Sequence, residues 1–166
     1  MTLIKYKQKR NFKKTKEPKA ILKRSKESSN KKLIFVVHDH FAKRHHWDLR
    51  LEHNGVLKSW AIPKTPPLDN KTKRLAIQVE DHPYDYKDFE GIIPEGYGAG
   101  QVKIWDKGAY IPEKFSDKGI IIDFQGKKLK GKYVLIKTNY QKNGWLFFKK
   151  KRLTETFINK LYISII

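Results

Sequence analysis

Short apolar and alternating segments follow one another along the middle of this chain and predict β-strands. Residues 33–37 form an apolar, β-branched run, and residues 46–52 alternate strictly between apolar and polar side chains. Asn54-Gly55 is a strong hairpin-turn signal, which predicts a returning strand at 56–62. Further strands are predicted at 74–80, 102–105, 120–124, 133–137 and 145–148. Seven or eight short strands with few helices are typical of an all-β barrel or sandwich.

The two ends of the chain and one internal stretch lack this pattern. Residues 1–32 are polar and rich in lysine, so we expect mainly an extended basic arm, in which pieces at 6–12 and 15–18 could pack on the body. Residues 81–100 are punctuated by proline and glycine and predict a long loop. The C-terminal residues predict a helix or a mixed tail. The expected organisation is an arm (1–32), a β-domain (33–150) and a tail or helix (151–166).

Composition and charge narrow the class of protein. There is no run of 18 or more apolar residues, and the N-terminus lacks the apolar stretch of a secretory signal, so no membrane segment is expected. The absence of cysteine excludes disulfides and thiolate metal sites and suits a reducing cytoplasm. The net charge is +20, which attracts nucleic acid. Lysine enrichment can also reflect genome composition, and charge alone does not decide between the two.

The alternating segment 46–52 carries the main candidate chemistry. A period of two places His46, Asp48 and Arg50 on one face of the strand, and His40 lies at the end of the preceding strand. Two imidazoles and one carboxylate suit Mn²⁺, Fe²⁺ or Zn²⁺ better than Ca²⁺ or Mg²⁺, and three ligands leave positions open for water and substrate. Arg50 is placed to hold a phosphate oxygen. The alternative is a polar face that meets only water. Parity puts His45 on the opposite face, so it is not a candidate ligand.

Two further segments are candidates for the same site. His82 and Tyr86 follow an alternating strand, and both side chains can hydrogen-bond a phosphate oxygen, although an ordinary polar loop fits the spacing equally well. The glycine-rich residues 91–100 precede a strand and not a helix, so they fail the structural test for a phosphate-binding loop. Their glycines are expected to make tight turns beside the site.

The ordered motifs resemble one family, the 3′-phosphoesterase module of bacterial DNA ligase D and its free-standing relatives in bacteria and archaea. The resemblance covers nearly the whole chain, from about residue 3 to about residue 149. Among the matching blocks are Lys9-Arg10-Asn11-Phe12, Thr15-Lys16-Glu17-Pro18, His46-Trp47-Asp48-Leu49-Arg50-Leu51-Glu52, Leu57-Lys58-Ser59-Trp60-Ala61-Ile62-Pro63-Lys64, Lys73-Arg74-Leu75-Ala76, Val79-Glu80-Asp81-His82-Pro83 and Tyr97-Gly98-Ala99-Gly100.

The resemblance implies a set of roles for this chain. It implies a compact β-barrel with short helices outside, and Mn²⁺ as the cofactor. The implied activity removes a terminal 3′ ribonucleoside, leaving a 3′ phosphate, and then removes that phosphate to give a 3′-OH. The implied metal ligands are His40, His46 and Asp48. The implied phosphate contacts are Arg50, His82 and Tyr86, with support from Lys64 and Arg74, and Glu17 is also implied in the active site.

The sequence departs from the family pattern at two places. Asn11 stands where the family usually has Asp, which removes a negative charge at a position linked to activity. The glycine-rich loop, Pro94-Glu95-Gly96-Tyr97-Gly98, is one residue shorter than usual. The chain ends at Ile166, and no attached ligase or polymerase domain is expected.

The expected function is metal-dependent processing of nucleic-acid 3′ ends in DNA repair, with His82 as a candidate proton donor to the leaving sugar oxygen. The competing hypothesis is a non-catalytic end-binding module that partners a separately encoded ligase or polymerase, which Asn11 and the basic arm would fit. The same chemistry acting on RNA ends is a third possibility, and the sequence does not separate these alternatives.

Overall fold

The structure is a computed structural model that describes residues 3–22 and 32–151. The predicted C-terminal helix or tail and residues 23–31 of the basic arm lie outside the described residues. The elements in chain order are α1 (Ile4–Gln8), β1 (Leu33–Ala42), β2 (His46–His53), β3 (Val56–Ile62), β4 (Lys73–Gln78), β5 (His82–Pro83), a 3₁₀ helix (Tyr84–Asp88), β6 (Gly91–Ile93), β7 (Gly100–Phe115), β8 (Gly119–Gln125), β9 (Lys130–Lys137) and β10 (Gly144–Lys149).

Eight of these strands close into a barrel, which confirms the predicted mainly-β class. The antiparallel order runs β1-β2-β3-β4-β10-β9-β8-β7, and pairing of β7 with β1 closes the ring. The predicted hairpin at Asn54-Gly55 joins β2 to β3, with both residues at positive φ (50° and 81°). Closure leaves the barrel strands without free edges, which a two-sheet sandwich would have kept.

Two hydrophobic clusters lie on opposite sides of the barrel wall. The inner cluster takes residues from all eight barrel strands, among them Val37, Leu49, Trp60 and Ala76, and fills the barrel. The outer cluster packs Tyr6, Tyr86 and neighbouring apolar residues against Leu57 of β3 and Val102 of β7. Most of the polar face of β2 is buried on this side of the wall, because Asp48 and Arg50 are only 5% and 3% exposed.

The described N-terminal segment, residues 3–22, contributes to the outer cluster, so the pieces expected at 6–12 and 15–18 do pack on the body. Residues 4–8 form a helix of five residues, too short to be stable alone. Its Tyr6 is fully buried, and the Tyr6 hydroxyl donates to the carbonyl of Pro18 at 2.7 Å. Burial of this aromatic ring, together with the ion pairs of Lys9 and Arg10 with Glu80, holds the segment against the barrel.

Residues 81–100 are more structured than the predicted long loop. Strand β5 pairs with β3, the 3₁₀ helix carries the buried Tyr86, and β6 pairs with β7. Gly98 has a φ of +78°, so the expected tight turn is present and favours glycine. Among the residues described, no helix is long and apolar enough to cross a membrane.

Strand β4 alternates as predicted, but its apolar side faces outward. Ala76 belongs to the inner cluster, so the side chains of Leu75 and Ile77 point away from the barrel interior. Both are only partly buried, and neither belongs to the inner or the outer cluster. Leu75 and Ile77 therefore lie on the outer face of the barrel wall, which is also the face that carries Asp48.

Candidate active site

Strand register brings the three predicted metal ligands together on the outer face of β1 and β2. His40 pairs directly with His46, and Asp48 follows two residues along β2 on the same face. One ligand atom from each residue lies within 4.8 Å of the others. The hairpin between the two strands therefore builds a compact group of two imidazoles and one carboxylate.

Hydrogen bonds set the orientation of both histidines. His40 Nε2 is 2.8 Å from the carbonyl oxygen of Gly98, and His46 Nδ1 is 2.8 Å from that of Arg44. A carbonyl accepts only, so each of these nitrogens carries the proton. The remaining ring nitrogens, His40 Nδ1 and His46 Nε2, face the carboxylate of Asp48 at 3.2 Å and 3.6 Å. As neutral imidazoles, the two histidines would offer these nitrogens as electron-pair donors, and with the carboxylate they would form a three-ligand set that fits a divalent cation.

Arg50 is fixed beside this group by three side chains. Its guanidinium donates to Asp48 at 3.1 Å, to Ser59 at 3.0 Å and to His38 at 3.3 Å, and it stacks on the ring of Tyr86. Burial would raise the pKa of Asp48, but the adjacent charge of Arg50 outweighs burial and holds that pKa far below its usual range. Asp48 is therefore an anion, ready to bind a cation.

His38 is a buried neutral partner of Arg50. Burial, followed by the charge of Arg50, lowers the pKa of His38 to about 3. Its Nδ1 therefore accepts from Arg50 without competition from a proton. No sequence pattern assigns a role to His38; the β1–β2 register, which places His38 opposite Asp48, brings it into contact with Arg50.

The N-terminal segment contributes a second charged group to the site. Arg10 donates to Glu17 at 3.0 Å and to Glu80 at 2.9 Å, and Tyr86 donates its hydroxyl to Glu17 at 2.9 Å. Lys9 also pairs with Glu80 at 2.9 Å. Glu17 is thus connected to the site through Arg10 and Tyr86, its role there remains a prediction, and Arg10 and Glu80 are the partners that sequence reasoning missed.

His82 is buried and neutral between these two groups. Its Nδ1 is 2.9 Å from the carbonyl oxygen of Glu80, and its Nε2 is 3.0 Å from Arg10 Nη2. Burial, and then the charges of Arg50 and Arg10, lower the pKa of His82 well below its ordinary value. In this arrangement Nδ1 donates and Nε2 accepts, so His82 holds no proton on the nitrogen nearest Arg10.

These side chains line one cavity of about 790 Å³. Seven of the predicted site residues are in its wall: Glu17, His40, His46, Asp48, Arg50, His82 and Tyr86. Lys64 and Arg74 are not. Lys64 is exposed beyond the end of β3, and Arg74 lies on the opposite face of β4 from Ile77 and donates to the carbonyl of Thr65. Their proposed support of phosphate binding remains a prediction.

The unusual Asn11 lies at a turn and outside the cavity wall. Its side-chain oxygen accepts from the backbone N–H of Lys13 at 3.1 Å, and its carbonyl accepts from Lys14 and Thr15. An aspartate oxygen could accept the same bond, so the turn that carries the chain from Arg10 to Glu17 does not depend on the missing charge.

The buried charges of the site are paired with one another. The guanidinium groups of Arg10 and Arg50 contact the carboxylates of Glu17, Asp48 and Glu80, and the part-exposed Lys9 also pairs with Glu80. The buried part of the site therefore has no excess of positive charge, and a bound divalent cation would supply it beside a phosphate group.

Comparison with known proteins identifies the family. The sequence profile of the DNA Ligase D 3′-phosphoesterase domain matches residues 38–137. The chain is 46% identical over 157 residues to the multifunctional non-homologous end joining protein LigD of Pseudomonas aeruginosa, covering 90% of this chain and 18% of that protein. It is 44% identical over 154 residues to the multifunctional non-homologous end joining DNA repair protein LigD of Mycobacterium tuberculosis, covering 90% of this chain and 20% of that protein. The chain thus spans about a fifth of the length of these curated relatives, and it belongs to the DNA ligase D 3′-phosphoesterase domain family.

Proposed function

We propose that this protein is a metal-dependent phosphoesterase that repairs nucleic-acid 3′ ends in two hydrolytic steps. In the first step water attacks the last phosphodiester, the bond from phosphorus to the 5′ oxygen of the terminal ribonucleoside breaks, and that nucleoside leaves with a 5′-OH. In the second step water attacks the remaining 3′ phosphate, which leaves as inorganic phosphate and exposes a 3′-OH.

The observation that supports the proposal is the convergence of one ring nitrogen each from His40 and His46 on the carboxylate of Asp48, with the opposite ring nitrogens held by backbone carbonyls. This donor set suits Mn²⁺, which we take as the cofactor. When bound there, the ion supplies Lewis acidity and positive charge at the scissile phosphate. The buried charges around this group include no excess of cations, so a bound divalent ion would add positive charge directly beside the phosphate, which supports metal dependence.

The chain's own residues position the phosphate and the ligands. Arg50, held by Asp48, Ser59 and His38, keeps a fixed guanidinium beside the metal group, where it stabilises charge that grows on phosphate oxygens. Tyr86 stacks on Arg50 and is oriented by Glu17. Neutral His82 offers a phosphate no N–H, because its Nδ1 donates to the carbonyl of Glu80 and its Nε2 accepts from Arg10. We therefore propose that the contact with Arg10 opens and that Nε2 takes up a proton before His82 binds the phosphate or donates a proton to the leaving oxygen.

The biological setting follows from the named relatives. Both are non-homologous end joining proteins, so we propose that this chain prepares DNA 3′ ends for joining in the cytoplasm. A ligase or polymerase would complete the repair after a clean 3′-OH appears.

The second candidate function is a non-catalytic module that binds nucleic-acid ends. The net charge of +20 favours it, because a strong positive field binds phosphate backbones without any chemistry. Asn11 no longer favours it, since the turn at that residue is intact.

The deciding experiment measures 3′-end products from a primer that carries one 3′ ribonucleotide, with Mn²⁺ and other divalent metals. We expect a 3′-phosphate strand and then a 3′-OH strand, only with metal. His46→Ala should abolish metal-dependent turnover. His53→Ala is the matched control, because His53 ends the same strand, stacks on Phe115 and lies outside the cavity wall.

Two results would contradict the proposal. Unchanged turnover in His46→Ala would remove the metal group from the mechanism. Tight, salt-sensitive binding without product under any metal would favour the end-binding module instead.

A further inference from the structure

An apolar shelf lies beside the metal-binding group in the wall of the same cavity. It consists of Ala61, Pro63, Ile77 and Val79, all of which line the cavity. None of the four belongs to the inner or the outer hydrophobic cluster, and each keeps part of its surface accessible. In a chain with a net charge of +20, this is apolar surface that neither core accounts for.

Strand register sets the position of the shelf relative to the metal group. Asp48 pairs with Ala61, and Ala61 pairs with Ile77, so the three residues form a row across β2, β3 and β4. Neighbouring strands are about 5 Å apart, so Ile77 lies roughly 10 Å from the carboxylate strand. Because the side chain of Ala61 is small, it leaves open space above β3 between Asp48 and Ile77. A sugar and base attached to a phosphate at Arg50 could lie along it.

The apolar shelf differs in charge from another part of the cavity wall. All four shelf side chains are apolar, whereas Lys43 and Arg44, in the turn between β1 and β2, are exposed and line the same cavity. Neither of these cations forms an ion pair within residues 3–22 and 32–151. A continuing strand has one phosphate per nucleotide and is attracted to such cations. A terminal nucleoside has no phosphate beyond the scissile one and is suited to an uncharged surface.

We propose that the apolar shelf holds the sugar and base of the terminal nucleoside that the first hydrolytic step releases. The inference rests on the proposed function and adds the subsite for the leaving group. The base packs by its flat face on Pro63 and Ile77, as bases do on apolar and aromatic platforms. Because no shelf side chain can form a hydrogen bond with a base edge, the first step accepts all four bases at the terminal position.

The test compares two substrates that differ only by the terminal nucleoside: a strand ending in one 3′ ribonucleoside and the same strand ending in a 3′ phosphate. Ile77→Asp should lower kcat/KM for the first substrate by about tenfold or more, because a charged side chain disrupts apolar packing on the base. Its effect on the second substrate, which places nothing on the shelf, should be several times smaller. Ile77→Ala should show the same selectivity with a smaller loss.

Leu75→Asp is the matched control. Leu75 lies on the same face of β4, two residues from Ile77, is similarly part-buried and does not line the cavity. We expect it to leave the ratio of the two kcat/KM values unchanged. Turnover of the 3′-phosphate strand also reports that each variant has folded.

Several outcomes would overturn the shelf assignment. Equal losses on both substrates, or no loss on either, would show that the shelf does not hold the terminal nucleoside. A faster first step in Ile77→Asp would indicate that another part of the chain covers the shelf, and a preference of more than about tenfold for one terminal base would show base reading elsewhere. If the unaltered protein acts on neither substrate, the proposed function itself is wrong.

Discussion

Strands β1 to β3 are buried on both faces, and the two faces are chemically opposite. Inward they present Val37, Leu49 and Trp60, which are at most 1% exposed inside the barrel. Outward, at neighbouring positions, they present His38, Asp48 and Ser59, which are at most 5% exposed beneath the N-terminal segment and the 3₁₀ helix. The same strands thus carry an apolar core on one side and a polar one on the other.

The two faces are stabilised in different ways. Inside, removal of apolar surface from water is enough, because no side chain needs a particular partner. Outside, each buried charge requires a matched neighbour, which Arg50, Asp48, Arg10 and Glu17 provide for one another. We therefore expect substitutions on the inner face to change stability, and substitutions on the outer face to change activity first.

The largest expected effect is at the outer face. Asp48→Asn keeps the shape of the side chain but removes the negative charge from the metal group and from Arg50. Turnover should fall about a thousandfold, the scale of losing metal-ion stabilisation of the transition state. Steady-state kinetics with saturating Mn²⁺ and calorimetric titration of Mn²⁺ would measure it. A fall in turnover of less than about tenfold would contradict the proposal that the outer face determines activity and the inner face determines stability.

The second prediction concerns the inner face. Leu49→Ala removes a fully buried side chain one residue from Asp48 and should lower the free energy of unfolding by about 2–5 kcal/mol. Turnover per folded molecule should stay within about threefold, because the outer face keeps its contacts. Urea unfolding and active-site-normalised kinetics test this. A large loss of turnover at constant folded fraction would mean that the two faces are coupled.

A smaller effect is expected from the titration of His82. Its pKa is lowered in the folded protein, first by burial and then by Arg50 and Arg10. On acidification below about pH 6.5 the unfolded chain gains a proton at this residue while the folded protein does not, so stability falls, by at most about 1.4 kcal/mol per pH unit. His82→Gln should lose less stability between pH 7.5 and 5.5. Equal losses in urea unfolding would show that His82 is not the neutral buried group described.

The smallest effect is expected at Asn11. Asn11→Asp preserves the turn acceptor for Lys13 and adds one exposed charge outside the cavity. We expect changes within about 0.5 kcal/mol in stability and a modest change in turnover. A gain of tenfold or more in kcat/KM would show that this position acts on the site through a route other than the turn.

The sequence by itself determined those features that depend only on local backbone geometry, namely side-chain alternation along a strand and the position of a tight turn. Strand alternation placed His46, Asp48 and Arg50 together and set His45 apart, because side chains of a strand point to alternate sides in any fold. The Asn54-Gly55 turn and the succession of short strands indicated a mainly-β chain, although a barrel and a sandwich remained equally open until family resemblance favoured the barrel.

Only the tertiary structure decided which face of each strand points into the barrel and which residues cover its outer face. Alternation in β4 is clear in the sequence, yet Ala76 faces the core and Ile77 faces the site, because barrel closure selects the inner face. Arg10 meets Glu80 and His82 across 70 and 72 positions of the chain. Such contacts arise from packing between distant segments, which no local pattern encodes, and they complete the outer face as a site.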